Sequence, residues 1–387
     1  MNDCVVGITE ESMGHLGTAR WPFSDLDGTS LLSSSRPLVL REAAMRFGAL
    51  AAVFASFLAV LVPTACGSSE ASGTPGADDA GTSGTEAGTT DPDASTKPAP
   101  DGSSTDGAVT TPACGGKLGT AGNKPMTLVL GGKERTFDLH VPATYDPAKG
   151  TPLVLVFHGY TMTATDIATA SHFAAAADTH GMIVAFPQGL GNSFNAGDCC
   201  GTAQSTGVDD VAFASAMIAA IENEYCIAPK RVFSAGFSNG GFLSYRLACE
   251  LSDKIAAIAP VAGGLRIDKA TCTPKRPVPV LHIHGTGDLL VPYNGAIGTN
   301  PVSYSIDAFK TKNGCAAGAG KNVFTKDDVS CTKWDGCSAN ADVELCTVTG
   351  GGHQWPGGDT LPYGGSASPN LDSSETIAAF FDAHPMP

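Results

Sequence analysis

Residues 231–249 read RVFSAGFSNGGFLSYRLAC, and they carry the strongest fold signal in the chain. The pattern G-x-S-x-G occupies residues 236–240, between an apolar run at 232–233 and a helical stretch at 242–249. Glycine and serine are common here, so the context carries more weight than the pattern. A serine on a tight strand-to-helix turn needs small neighbours, which the two glycines supply. We therefore predict that Ser238 is an exposed nucleophile; the alternative is a glycine-rich turn with a solvated serine.

Apolar strand-like runs alternate with helical stretches on both sides of this turn. We expect strands at 153–157, 182–186, 231–235, 255–261, 278–284 and 343–349, helices at 164–180, 208–224, 240–249, 303–312 and 371–383, and an opening hairpin at 127–130 and 136–141. Such alternation predicts a mostly parallel sheet that is covered by helices on both faces. Together with the serine turn, it predicts an α/β-hydrolase fold for residues 114–387.

A serine needs a general base to be nucleophilic near neutral pH, and in this fold the chain order is serine, acid, histidine. His353 lies in the run GGGHQW, just after the predicted strand at 343–349. The other histidine after the candidate acid, His384, lies at the tail of the last helix. We therefore predict that His353 is the base. The alternative is a surface histidine in a loop.

The acid should lie at the end of a strand between the serine and the histidine. Asp288 ends the run HIHGTGD, in the loop just past the predicted strand at 278–284. Its carboxylate would hold the imidazole in one tautomer and stabilise the imidazolium. Asp307 lies in a predicted helix, and the aspartates at 327–328 lie in an excursion flanked by cysteines, so both positions are less suitable.

An oxyanion hole would complete this constellation. One donor should be the backbone N–H of Asn239, the residue after the nucleophile. The second should come from a loop after an early strand, and the run HGY at 158–160 makes the N–H of Tyr160 the candidate. Trp355, two residues after the base, is either a wall of the substrate pocket or a packed anchor of its loop.

Six ordered motifs show a resemblance to a known family. They are HG at 158–159, NAGDCCG at 195–201, VDDV at 208–211, GFSNGGF at 236–242, HGTGD at 284–288 with VPY at 291–293, and GGHQWPG at 351–357. Together they resemble the secreted feruloyl esterase and polyhydroxybutyrate depolymerase family over nearly all of residues 114–387. The triad of that family falls on Ser238, Asp288 and His353.

The resemblance implies a carboxylic ester hydrolase that needs no cofactor. Its substrates would be feruloyl esters on plant cell-wall polysaccharide, or short hydroxyalkanoate and acyl esters, including polyester oligomers. Acetylxylan is the alternative within this class. A different class of function is a non-catalytic surface protein that uses the same fold as a binding module, and an activity screen with p-nitrophenyl acetate distinguishes the two.

Twelve cysteines, ten of them from Cys114 onward, indicate an oxidising compartment and disulfide pairing; the alternative is scattered buried thiols. The resemblance implies a Cys315–Cys337 bridge, which leaves Cys331 and Cys346 as a nested pair, although four cysteines allow three connectivities. For the adjacent cysteines at 199–200, two separate partners are favoured over a bond to each other.

The N-terminal segments indicate export. Residues 1–44 show no periodicity and are not expected in the mature protein. Residues 45–66 combine a charge, an apolar run and small residues before Cys66, which is typical of a signal peptide and resembles a lipoprotein signal, although Pro63 departs from that pattern. Residues 67–113 are rich in Gly, Ser, Thr and Asp and form a predicted flexible linker. We expect an extracellular protein or one anchored to the outer membrane by lipid at Cys66.

The charge balance excludes one class of partner. The chain has 23 basic and 38 acidic residues, a formal net charge of −15. Nucleic-acid binding requires a basic surface, so we expect no nucleic-acid partner. His282 and His284 share one face of a strand as an H-x-H pair, but no carboxylate partner or H-E-x-x-H motif accompanies them. We therefore predict no metal site.

Overall fold

The computed structural model describes residues 114–387. In chain order the elements are β1 (Gly122–Leu130), β2 (Lys133–Val141), β3 (Thr151–Phe157), α1 (Ala164–Ser171), α2 (Phe173–His180), β4 (Ile183–Pro187), α3 (Gly201–Ser205), α4 (Asp210–Glu224), β5 (Ile227–Phe237), α5 (Asn239–Glu250), β6 (Ile258–Val261), β7 (Val280–Gly285), α6 (Val302–Lys312), β8 (Lys321–Lys326), β9 (Val329–Trp334), β10 (Val343–Val348) and α7 (Ser373–Ala383).

All ten strands belong to one sheet, in the order β1-β2-β4-β3-β5-β6-β7-β10-β9-β8. The six central strands, from β4 to β10, are parallel to one another. The pairs at both edges are antiparallel. The carboxyl ends of β5, β7 and β10 therefore lie on the same side of the sheet, where parallel sheets bind their ligands. The predicted α/β-hydrolase fold is confirmed.

Strand β3 shows how the two layers of the core form. All seven of its residues are buried. Leu155 and Phe157 pack into the cluster beneath α4, α5 and α6, whereas Val154 and Val156 pack into the cluster beneath α1, α2 and α7. A continuous apolar run is required here because both faces of a parallel sheet are covered. Each such side chain stabilises the fold by about 1.5–3 kcal/mol relative to full exposure.

Two predicted elements differ from the structure. The helix expected at 164–180 is two helices, because His172 adopts a left-handed backbone with φ 56° and a right-handed helix cannot continue through it. The cysteine-flanked excursion, for which no strand was predicted, contains the hairpin β8–β9, which extends the sheet beyond β10. All six residues of β8 are exposed, so no alternation of apolar and polar residues marks it as a strand.

Five disulfides use all ten cysteines of the described residues: Cys114–Cys226, Cys199–Cys200, Cys249–Cys272, Cys315–Cys337 and Cys331–Cys346. The pairings Cys315–Cys337 and Cys331–Cys346 are those expected above, and the second joins directly opposite residues of β9 and β10. The expectation of two separate partners for Cys199 and Cys200 is wrong. These cysteines bond to each other, since each of the other eight has its own partner.

The predictions for residues 1–113, including the signal peptide, the linker and the anchor at Cys66, lie outside the described residues. Within residues 114–387, no helix combines the length and the apolar character needed to cross a bilayer.

Candidate active site

The turn between β5 and α5 consists of Ser238 alone. Its backbone has φ 53° and ψ −113°, a strained combination for a residue with a side chain. The flanking glycines make this turn possible. A Cβ at Gly236 would collide with the backbone of Gly240, and a Cβ at Gly240 would collide with the carbonyl of Phe157. The side chain of Ser238 is half-buried and faces a pocket, as expected of a nucleophile on such a turn.

The predicted base and acid are hydrogen-bonded to each other. His353 Nδ1 donates to Asp288 Oδ2 at 2.7 Å, and both residues are only 3% exposed. The other carboxylate oxygen, Oδ1, accepts from the backbone N–H groups of Leu290 at 2.9 Å and Val291 at 2.8 Å. The carboxylate is therefore fixed on both sides, and it holds the imidazole with Nε2 free to accept a proton.

Burial would by itself raise the pKa of Asp288. The hydrogen bonds from His284 and His353, the charge of His353 and the backbone N–H of Val291 outweigh burial and hold the pKa of Asp288 well below its ordinary value. Asp288 is consequently ionised throughout the neutral range. A permanent carboxylate at this position can stabilise a positive charge that forms on His353 during proton transfer.

The loops after β7 and β10 are joined, and this brings the acid to the base. The two strands are parallel neighbours, so both loops leave the same edge of the sheet. Gly287 N–H donates to Gly351 O at 2.9 Å, and Gly350 N–H donates to Thr286 Oγ1 at 2.8 Å. A Cβ at Gly285 would collide with the carbonyl of Gly351, so the glycines permit this close approach.

Both residues predicted to supply oxyanion donors are close to the serine: Tyr160 lines the same pocket, and Asn239 directly follows Ser238 in the chain. Within residues 114–387, neither the N–H of Tyr160 nor that of Asn239 donates to a protein acceptor. Asn239 is the first residue of α5, where backbone N–H groups have no partner inside the helix. Its side chain exchanges two hydrogen bonds with the backbone of Phe194, at 2.7 and 2.9 Å, which fixes that segment against the turn. Two free donors here are what an oxyanion hole requires.

Ser238 and His353 line one pocket of about 310 Å³. The full lining is Gly159, Tyr160, Thr161, Cys199, Cys200, Phe237, Ser238, Phe242, Arg266, Leu290, Val291, Thr299, His353 and Tyr363. The ring of Phe237 lies 4.7 Å from that of His353, centroid to centroid. Among the described residues, no hydrogen bond joins Ser238 Oγ to His353. Such bonds are often long until substrate binds.

Trp355 lies elsewhere. It is fully buried, its Nε1 donates to Ser374 Oγ at 3.1 Å, and it packs in the cluster beneath α1, α2 and α7. It is not part of the pocket lining. Its position corresponds to the packed loop anchor, and the suggested role in substrate binding is corrected accordingly.

Several residues of the pocket wall were not predicted from the sequence. Tyr363 stands edge-on to His353 at 5.9 Å between ring centroids, although it lies in a segment without regular structure. Arg266 borders the pocket, and its Nε donates to Asp198 at 2.6 Å. The Cys199–Cys200 ring is also part of the wall. The run NAGDCCG contains the two cysteines of the ring and shows the family likeness, but it does not show which side chains face the serine. No motif marks Tyr363 or Arg266.

Comparison with known proteins supports a family assignment. Residues 144–313 match the family described as Phospholipase/Carboxylesterase. The putative esterase NocK of Nocardia uniformis subsp. tsuyamanensis is 32% identical over 279 residues, which cover 65% of this chain and 80% of that protein.

Two fungal relatives are similar over shorter stretches. Feruloyl esterase B of Piromyces equi is 34% identical over 228 residues, 55% of this chain and 41% of that protein. The bifunctional acetylxylan esterase/xylanase XynS20E of Neocallimastix patriciarum is 34% identical over 160 residues, 40% of this chain and 22% of that protein. The chain thus spans less than half of either fungal relative. The similarity to NocK over most of its length, together with the fold, shows that the chain belongs to the feruloyl esterase-type family of α/β-hydrolases, a family of carboxylic ester hydrolases.

Proposed function

We propose that the protein is an exported serine esterase that uses Ser238, His353 and Asp288 as a catalytic triad. One observation carries this proposal: His353, which is hydrogen-bonded to Asp288, lines the same pocket as the strained Ser238. In the proposed mechanism, Ser238 Oγ attacks the ester carbonyl while His353 Nε2 accepts its proton. The N–H groups of Tyr160 and Asn239 stabilise the oxyanion. His353 then protonates the leaving alcohol, and water hydrolyses the acyl-enzyme by the reverse sequence.

The pocket favours an acyl group larger than acetyl. Its walls include Phe237, Phe242, Leu290, Val291 and Tyr363, and its volume of about 310 Å³ would remain largely empty around an acetyl group. Apolar walls with a few polar groups are typical of sites that enclose most of a small ligand. We propose feruloyl esters, or short hydroxyalkanoate esters of similar length, as the substrates. The alternative substrate, acetylxylan, is supported by the similarity to the acetylxylan esterase/xylanase.

A side-by-side assay tests this choice. We expect kcat/KM for methyl ferulate or for hydroxybutyrate oligomers to exceed that for acetylxylan, and we expect Ser238→Ala to abolish all three activities. A preference for acetylxylan would replace the feruloyl proposal with the alternative. A purified, folded protein that is inactive on all esters, including p-nitrophenyl acetate, would instead indicate the non-catalytic binding module.

Export is supported by the five disulfides of the described residues, since such bonds persist in oxidising compartments. We propose that cleavage occurs before Cys66 and that the mature protein is either extracellular or anchored to the outer membrane by lipid at Cys66. Intact-mass measurement of protein from cells should show a chain that begins at or near Cys66. A chain that retains residues before Met45 would contradict this proposal.

A further inference from the structure

A row of buried side chains, hydrogen-bonded to one another, lies next to the proposed catalytic acid Asp288. The proposed mechanism does not use these side chains. Strand β7 carries His282 and His284, which are 0% and 1% exposed. Tyr245 Oη lies 2.8 Å from His282 Nδ1, and His282 Nε2 lies 3.0 Å from His284 Nδ1. His284 Nε2 lies 2.8 Å from the carbonyl of Val291 and 3.4 Å from Asp288 Oδ2. The row thus ends at the carboxylate that orients the base.

The partners determine where the protons lie in this row. The carbonyl of residue 291 can only accept, so His284 Nε2 carries a proton. A neutral ring avoids an additional buried charge, so His284 Nδ1 accepts from His282 Nε2. His282 Nδ1 must then accept from the hydroxyl of Tyr245. Every donor points toward Asp288.

The direction of the row agrees with the electrostatics of its members. Burial, and then the neighbouring His284, hold the pKa of His282 well below its ordinary value, and burial raises the pKa of Tyr245. Both groups are thus neutral at neutral pH. The remaining titratable neighbour of His284 is Tyr293, whose ring stands edge-on at 5.9 Å and whose hydroxyl bonds to Thr347 Oγ1.

His284 holds the loop that carries the acid. Val291 donates its N–H to Asp288 Oδ1 and accepts at its carbonyl from His284, so its peptide groups are fixed on both sides. Leu289 and Leu290, which lie between Asp288 and Val291, are 88% and 57% exposed and contribute little packing energy to the loop. The hydrogen bond from His284 therefore replaces the apolar anchoring that this loop lacks.

We propose that His284 is a positioning residue for the catalytic acid, and that His282 and Tyr245 hold it in the tautomer that donates to Val291 and Asp288. The inference rests on the proposed triad. It also accounts for the H-x-H pair without a metal. Both ring nitrogens of His282 have hydrogen-bond partners, and His284 Nε2 carries a proton, so no lone pair remains for a cation.

Three variants, assayed with p-nitrophenyl acetate, test the inference. His284→Phe keeps a planar ring and removes the donor, so kcat should fall about 10- to 100-fold, the range for loss of a hydrogen bond to a charged group. KM should stay within about twofold, because the side chain does not line the pocket. His284→Gln can donate from nearly the same position and should recover kcat to within about tenfold of wild type. Tyr245→Phe should lower kcat by about three- to tenfold.

His384→Phe is the matched control. His384 is also buried and bonds through Nδ1 to a carbonyl, that of Phe380, but it lies at the end of α7. Its replacement should change thermal stability and leave kcat unchanged. The inference is overturned if His284→Phe keeps kcat within about threefold of wild type, or if His284→Gln is as impaired as His284→Phe.

If His284→Phe does not fold, the kinetics of Tyr245→Phe test the inference instead. A lower kcat at constant KM supports it, and an unchanged kcat overturns it. Wild type and Ser238→Ala in the same assay distinguish a wrong triad from a wrong positioning role for His284. Inactive wild type, or active Ser238→Ala, would reject the proposed triad and this inference with it. Failure of the histidine variants alone would reject only the positioning role.

Discussion

Replacement of Asp288 by Asn should invert the tautomer of the base. The Oδ1 position faces two backbone N–H groups, those of Leu290 and Val291, so the amide oxygen of the new side chain must take that position. Its NH₂ group then faces His353 Nδ1, 2.7 Å away in the native pair. Nδ1 must become an acceptor, so the proton moves to Nε2, which can no longer accept one from Ser238. The opposite amide orientation would set NH₂ against two N–H groups and is disfavoured.

The expected loss in kcat is about 10⁴-fold, as for a wrong-tautomer triad elsewhere. This corresponds to about 5.4 kcal/mol of transition-state stabilisation. The assay is p-nitrophenyl acetate hydrolysis at pH 7.5, with circular dichroism to show that the variant folds. Asp307→Asn is the matched control, because Asp307 is an exposed carboxylate of α6 whose one ion pair within residues 114–387 is with Lys310, at 3.1 Å. A folded Asp288→Asn protein that keeps more than about a tenth of wild-type kcat would refute this reasoning.

Three further predictions concern stability. Burial lowers the pKa of His158 to about 4, whereas an unfolded histidine titrates near 6.5. Between about pH 6.5 and 4, His158 should therefore contribute a fall in the free energy of unfolding of up to about 1.4 kcal/mol per pH unit, in addition to any contribution from His282. His158→Gln should flatten this fall in urea titrations, and an unchanged slope would contradict it. Joint replacement of Cys331 and Cys346 by Ser opens a loop with a sequence separation of 15 and should lower the free energy of unfolding by about 3 kcal/mol. A decrease below about 1 kcal/mol in urea titrations would contradict the assignment of the bridge. Gly240→Ala should yield little folded protein, because its Cβ would collide with Phe157, and a stable, active variant would disprove that packing.

Much of the fold could be predicted because its signals are local. Strand β3 is a continuous apolar run, as burial on both faces requires, and α4 begins at an aspartate cap, Asp209, whose side chain accepts from Ala212 N–H. The hairpin β8–β9 could not be predicted, since β8 is exposed along its whole length. The break at His172 likewise depends on tertiary packing and has no glycine or proline to mark it.

The candidate triad could be proposed from the sequence because each member ends or follows a strand of a parallel sheet. Loops after neighbouring parallel strands meet at one edge, so chain order and strand assignment suffice to bring Asp288 to His353. The pocket wall is different. Tyr363 and Arg266 lie in irregular segments, where no periodicity shows which side chain points inward. The burial of Trp355 depends in the same way on contacts with α7, which are distant in sequence.

Covalent labelling tests the central claim, that Ser238 is an activated nucleophile. Diisopropyl fluorophosphate reacts with serines that a neighbouring base activates, and peptide mass spectrometry locates the adduct. We predict a single diisopropylphosphoryl group on Ser238, with loss of p-nitrophenyl acetate hydrolysis in proportion to labelling. An adduct on a different serine, or full labelling of Ser238 with activity retained, would contradict the assignment.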